Sequence, residues 1–291
     1  DEAMLLQTLG QLWLAGVPVD WNAFWTGESR RRVPLPTYPF ERQRYWIEAA
    51  APVVEQETVQ PGKVDLADWF YAPSWKNVSI EKAQSNDGAG SRARWLLFGG
   101  DADGAWRVAD RLVRDGHDVI RVASGERFEQ LSDSSYTIDP ANSAQYQELL
   151  RRLKEANRIP GVIGHFWGVA PQTSTTSEEN QQRGFFSLLF LAQAIGASGL
   201  SAPLRLAVIT TDLHGVTDED TVSASKATVL GPVRVIPSEY PNITCRAIDV
   251  KAGEWQTPDD RIVGSLIEAS SAISGESVMA LRAGQWWLPA G

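Results

Sequence analysis

The residues that could do chemistry in this chain fall into a few short stretches. The first is Gly99-Gly100-Asp101-Ala102-Asp103-Gly104-Ala105-Trp106, where a strand-like run gives way to a helix-like one. A phosphate-binding turn needs glycines that let the backbone approach a pyrophosphate at a helix N-terminus, without competing negative charge. Gly100 and Gly104 have a suitable four-residue spacing, but Trp106 fills the third glycine position and Asp101 and Asp103 would face the phosphates. A tight turn with Asp103 as N-cap accounts for the stretch without a ligand.

The Gly100–Gly104 spacing resembles that of short-chain reductases, and that resemblance implies a tyrosine acid four residues before a lysine or asparagine for hydride transfer. The residues four beyond Tyr38, Tyr45, Tyr71, Tyr136, Tyr146 and Tyr240 are Arg42, Ala49, Trp75, Pro140, Leu150 and Thr244, so no pair fits. Lys226 lies where the basic partner would be expected, with Val222 four positions before it. A nucleophile elbow is missing too, Gly196-Ala197-Ser198-Gly199 having the wrong spacing. His117, His165 and His214 form no metal-binding pattern. His165 lies in an apolar strand and reads as a core histidine, and His117 ends a helix, where a cation suits the dipole. Asp218-Glu219-Asp220 reads as solvated loop carboxylates rather than a metal site. Asp133-Ser134 has Leu131 where a carrier-protein attachment site would need glycine.

The elements that must position these residues follow a regular pattern. Strands are expected at 95–99, 118–123, 161–169, 204–211 and 243–250, with helices at 104–115, 142–157, 184–198 and about 221–236. A last helix near 258–273 leads into two short strands, Val278–Leu281 and Trp286–Leu288, joined by a turn at Gly284. Apolar strands alternating with amphipathic helices predict an α/β fold with a Rossmann-like, mostly parallel sheet and right-handed crossovers.

Upstream, Leu5, Leu6, Leu9, Leu12 and Trp13 predict a helix over 3–16 that stops at Gly16 and Pro18. Val19-Asp20-Trp21 reads as a loop, and three prolines between 33 and 40 predict an extended, proline- and aromatic-rich strap. Residues 49–63 read as a linker, 81–93 as a mobile loop, and Trp69-Phe70-Tyr71 with Trp75 as a strand at the edge of the next domain.

Composition narrows the function. With 27 basic and 36 acidic residues the 291-residue chain carries a net charge of −9, which argues against nucleic acid as a partner, and Arg30-Arg31-Arg32 is too short to change that. The single Cys245 excludes an internal disulfide framework and reads as a buried small hydrophobe. The longest apolar run, Phe185–Ile195, is about half a membrane span, and the start lacks the basic region of a signal peptide, so a cytoplasmic protein is expected. With no initiator methionine and a start inside a helix pattern, the chain is expected to be a piece of a longer one.

These pieces resemble modular type I polyketide synthases. Residues 9–21 followed by LPTYPFERQRYW at 35–46 look like the acyltransferase tail and post-acyltransferase linker. The segments at 70–76, 95–99, 136–140, 165–167, 230–241 and 246–250, in that order, resemble the structural, non-catalytic half of the ketoreductase. The resemblance implies an acyltransferase tail and linker at 1–48, a flexible linker at 49–64 and a ketoreductase structural subdomain at 65–291. It implies a truncated Rossmann-like fold without catalytic, cofactor or metal residues, NADPH being bound only by a catalytic half encoded after Gly291, which would carry the TGGxGxxG loop and a Ser-Tyr-Asn set. The expected partners are that catalytic half, the ketosynthase–acyltransferase region and the carrier protein, with no nucleic acid, membrane or metal. Tyr38, Phe40, Tyr45, Trp46, Trp69, Tyr71, Trp75, Trp286 and Trp287 are the expected interdomain contacts. Three other readings stay open: an NADPH-dependent reductase in its own right, an unrelated docking module, and a spacer surviving in a module without ketoreduction.

Overall fold

A computed structural model describes residues 2–29, 33, 34, 36, 73–79, 92–100, 104–169, 176–256, 258–272 and 276–290. The chain divides into two compact units, Asp1–Val64 and Asp65–Gly291.

In the first unit, α1 (Glu2–Leu14) stops where expected: Gly16 adopts φ 85° and Val17 N donates to Leu12 O at 3.0 Å, closing the orphaned carbonyls of the last turn. Val19 and Asp20 are irregular as expected, and a short helix, α2 (Trp21–Phe24), begins at Trp21. Asp20 caps it, its Oδ1 accepting from Asn22 N at 3.1 Å and Ala23 N at 3.0 Å. Trp13, Trp21, Phe24 and Trp25 meet edge to face around this turn. Most of the strap at 33–40, the arginines at 30–32 and the linker at 49–63 lie outside the described residues.

The second unit is built on a ten-stranded sheet. The strands are β1 (Ser74–Val78), β2 (Arg94–Phe98), β3 (Asp118–Ser124), β4 (Glu129–Ser132), β5 (Ser135–Ile138), β6 (Val162–Gly168), β7 (Leu204–Thr211), β8 (Ile243–Val250), β9 (Val278–Arg282) and β10 (Gln285–Ala290). Their order is β1-β10-β9-β8-β7-β6-β2-β3-β5-β4. Strands β5, β3, β2, β6, β7, β8 and β9 run parallel, and the strand order reverses between β2 and β6, the signature of a doubly wound sheet. Five expected strands and the closing pair are present. The hairpin β4–β5 was not expected, because its four-residue strands are largely polar and only Tyr136 and Ile138 alternate inward.

Helices α3 (Ala105–Arg114), α8 (Ala252–Gln256) and α9 (Asp260–Ser271) cover one face. Helices α4 (Ser143–Glu155), α6 (Ser187–Ser198) and α7 (Leu230–Glu239) cover the other. The central strands β6 and β7 are therefore buried on both sides, which explains their nearly unbroken apolar runs. The helix expected at 184–198 begins earlier. A capping box between Thr176 and Glu179 starts α5 (Ser177–Gln181), and a π-helical turn at Gln182–Phe186 joins it to α6. The helix expected near 221–236 is a 3-10 turn, Ala224–Val229, continued by α7. Gly196 of α6 lets Tyr240 pack closely, since a Cβ there would come within 2.5 Å of its ring.

Candidate functional site

Doubly wound sheets bind ligands in the crevice outside the carboxyl ends of their strands, at the point where strand order reverses. Here that point lies beyond β2 and β6, where Gly99 and Gly100 lead toward α3. The cap of α3 is Gly104, at φ 71° and with no side-chain hydrogen bond, rather than Asp103. Asp101 and Asp103 lie outside the described residues. Only glycine tolerates this position comfortably. A Cβ on Gly104 would meet the indole of Trp255 at 3.1–3.3 Å. Trp255, on α8, is 4% exposed and stacks on Phe166 of β6, with ring centroids 6.0 Å apart and planes 20° from parallel. The third glycine position holds Trp106, whose ring lies under the Arg121 guanidinium of β3 at 5.5 Å. The crevice end of this sheet is thus packed with the chain's own aromatic rings.

On the other side of β2 and β6, His165 is fully buried beside Phe98 and Trp167. Its Nε2 lies 2.9 Å from Ser187 Oγ, and Ser187 in turn bonds back to Arg183 O within the π-helical turn. Burial pushes the imidazole down to about 3, so it stays neutral, as a core histidine should. His117 acts differently from expectation. Its Nδ1 accepts from Ala93 N at 3.3 Å, which ties the start of β2, while its backbone N donates to Leu112 O at the end of α3 at 3.0 Å.

The carboxyl ends of β7, β8 and β9 carry a polar lock that the sequence reading did not find. Arg282, at the end of β9, is 4% exposed, and all its N–H groups have acceptors. Nε reaches Asp220 at 3.0–3.1 Å, and Nη1 reaches Asp249 O at 2.9 Å and Leu281 O at 3.0 Å. Nη2 reaches Asp249 Oδ2 at 2.7 Å and His214 O at 3.1 Å. Asp249, fully buried in β8, also accepts from Thr210 Oγ1, Leu213 N and His214 N at 3.0–3.2 Å. Burial pushes Asp249 upward, but both its oxygens face donors only, which keeps it a carboxylate. Burial opposes charge on Arg282 as well, and Asp249 and Asp220 outweigh it, so the guanidinium is held above its ordinary value. Asp220 is desolvated too, but backbone N–H groups of Thr217 and Val216 and the arginine lower it overall.

This arrangement reassigns Asp218-Glu219-Asp220. Asp220 has a buried side chain in the lock, and Glu219 meets Lys251 at 3.4 Å. Among the described residues no group of three or more potential ligands could hold a metal. Lys226 sits in the 3-10 turn, 5% exposed, with Nζ donating to Thr211 O at 3.0 Å and Thr211 Oγ1 at 2.8 Å. Desolvation lowers it, and Asp212 and Asp249 oppose that effect. Cys245 is buried and its thiol is pushed up to about 12, as a small core residue.

Two clefts are lined by described residues of this unit. One, of about 230 Å³, lies at the amino ends of β7 and β8, where Arg205 Nη1 and Arg246 Nε and Nη1 reach carbonyls of Ser271, Glu276 and Ala269. That is the wrong end of the sheet for a nucleotide, and the guanidiniums complete the last turn of α9. The other, of about 400 Å³, lies beyond β3 and β5 and carries Glu126, Asp139 and Glu179 against one cation, Arg183, a net negative lining unsuited to a phosphate.

Of the expected contact residues, Tyr38, Phe40, Tyr45, Trp46, Trp69 and Tyr71 lie outside the described residues. Trp75 lies on β1 and Trp286 and Trp287 on β10, which pair antiparallel with Trp75 opposite Pro289, Val78 opposite Trp286 and Asn77 opposite Trp287, so Trp286 faces away from the other two. Trp286 is 9% exposed in the chain's own core, and Trp287 is half-buried. No helix among the described residues is long and apolar enough to cross a membrane.

Comparison with known proteins gives this geometry a family. Residues 96–268, more than half of the chain, match the family described as beta-ketoacyl synthase-like, N-terminal. The polyketide synthase GfsA of Streptomyces halstedii is 26% identical over 342 aligned positions, covering 97% of this chain and 4% of that protein. A solved N-terminal ketoreductase from the macrolactin assembly line superposes with a TM-score of 0.58 at 18% identity, over 75% of this chain and 43% of that one. An A-type ketoreductase from a modular polyketide synthase gives 0.52 at 22% identity, over 76% and 43%. The chain therefore spans less than half of each of these relatives, and their fold is the Rossmann-like sheet described above. This chain belongs to the family described as beta-ketoacyl synthase-like, N-terminal, and it shares its fold with the solved ketoreductases.

Proposed function

We propose that the second unit is the structural, non-catalytic subdomain of a polyketide synthase ketoreductase, which packs on the catalytic half and organises it during chain assembly. Residues 1–48 would then be the acyltransferase tail and linker, and 49–64 the flexible connection, in a cytoplasmic multidomain synthase. The single observation that carries the reading is Trp255 seated on Gly104 and stacked on Phe166, where a dinucleotide pyrophosphate would have to lie. A second aromatic, Trp106, takes the remaining glycine position, and no tyrosine stands in the spacing that a hydride-transfer acid requires. The chemistry would belong to the partner half, with NADPH bound there. On this reading the described contact residues are Trp75, Trp286 and Trp287, acting through the outer rim of the sheet. Among the described residues β1 is the outermost strand, with Ser74, Lys76 and Asn77 exposed, and it offers that rim to a neighbour.

The test is a calorimetric titration of NADPH into the purified chain, after circular dichroism has shown it folded. The expected outcome is no saturable heat at sub-millimolar cofactor. Saturable micromolar binding would overturn the proposal and make residues 99–104 a working phosphate loop.

A further inference from the structure

Among the described residues, the edge strand β1 is held by its ladder with β10 and a few side-chain contacts. Among the described contacts, Val78 rests on the apolar cluster under α9, and Asn77 Nδ2 donates to Gln285 Oε1 at 3.0 Å. On the opposite face Trp75 packs against His214, with ring centroids 5.0 Å apart and planes at 54°. His214 belongs to the loop that follows β7, and that loop is fastened at its backbone. His214 N donates to Asp249 and its carbonyl accepts from Arg282. The ring is therefore presented to β1 by the polar lock, while its Nε2 is buried without a hydrogen-bond partner among the described residues.

We propose that His214 is a pH-sensitive clamp: the neutral ring, wedged between the polar lock and Trp75, holds β1 on the sheet, and its protonation lets the strand detach. The charged groups facing the ring come from three elements. Asp249 of β8 favours a proton, whereas Arg282 of β9 and Arg234 of α7 oppose one. Asp249 is already committed to Arg282 through a 2.7 Å bond, so it offers a second cation little. Desolvation is the largest influence and acts with the two arginines, so the ring is held below the usual histidine value. A group with a depressed folded value stabilises the neutral state above about pH 6.5 and loses that contribution as pH falls below it. The loss is local because β1 is the last strand of the sheet among the described residues.

The test is backbone amide exchange by mass spectrometry on the whole chain at pH 7.5 and pH 5, with intrinsic rates corrected for pH. The expected result is that protection over residues 74–78 falls about tenfold for each pH unit between 6.5 and the ring's folded value, while β7 and β8 keep theirs. His214→Phe keeps an aromatic ring against Trp75 without a titratable group, and its β1 protection should not change between the two pH values. Trp75→Ala removes the contact, and protection over 74–78 should be low at both. The proposal is overturned if His214→Phe loses β1 protection at pH 5 as the wild type does, if Trp75→Ala retains the wild-type pH response, or if β1 and the β7–β8 core open together.

Discussion

Two regions at the carboxyl end of the same sheet are closed by opposite means. Beyond β2 and β6 the space is filled by apolar rings: Trp255 on Gly104, Phe166 against Trp255, and Phe98 and Trp167 around a neutral His165. Beyond β7, β8 and β9 it is filled by charge, with Arg282 shared between two aspartates and every donor matched. The apolar seal needs only volume and shape, so its strength follows the area removed from water. The polar lock needs every partner in place, because desolvation makes each unpaired group costly. The first closes a cavity, and the second fixes the loop at 213–220 to the sheet.

The largest expected effect separates these mechanisms directly. Arg282→Met keeps volume but leaves Asp249 and Asp220 facing no cation, and it should destabilise the chain by about 3–5 kcal/mol in urea unfolding. A loss below about 1 kcal/mol would mean that the lock is no more than packing.

Acid probes the same contrast from the other side. His165 has its folded value near 3 against an ordinary 6.5, so its stabilising contribution is complete above about pH 6.5 and drains away as pH falls toward 3. By pH 4 the loss should reach about 3 kcal/mol, and His165→Phe should flatten that limb of the stability curve. Asp220, lowered overall, contributes stability above the usual carboxylate range and yields it only below, so the sealed half should weaken at a higher pH than the lock. Identical acid limbs in wild type and His165→Phe would break this ordering.

The smallest effect sharpens the seal itself. Gly104→Ala places a Cβ 3.1 Å from Trp255 Nε1 on a residue at φ 71°, and it should cost about 1–2 kcal/mol in the same unfolding assay. In a cycle with Trp255→Ala the steric part should vanish and the backbone part remain. Full additivity would mean that the indole does not press on the glycine.

Much of the fold was legible because its signals are local. Strands β7 and β8 match their expected bounds, since a run of branched apolar residues closed by turn residues needs no partner to be recognised. Hairpin β4–β5 escaped because Glu129, Gln130 and Ser132 carry no such pattern. It is held by Arg158, which reaches Asp118, Ser134 and Asp133 from across the sheet. His165 and Cys245 were readable as core residues because a lone polar or sulfur group within an apolar strand is usually buried with it. Arg282 and Asp249 gave a fainter hint, a charge ending one apolar strand and a carboxylate near the end of another, and nothing in their spacing tied one to the other. Trp255 gave none, since it sits in a short polar stretch.

The order of amino acids alone determined the alternation of strand and helix, the mostly parallel sheet and the mismatch between residues 99–106 and a phosphate loop. Those follow from periodicity and from side-chain bulk, which are properties of neighbours along the chain. Only the tertiary structure decided which side chains close the carboxyl end of the sheet. Trp255 meets Gly104 and Arg282 meets Asp220 across long stretches of sequence, and such pairs exist only once the parallel strands have brought their ends together.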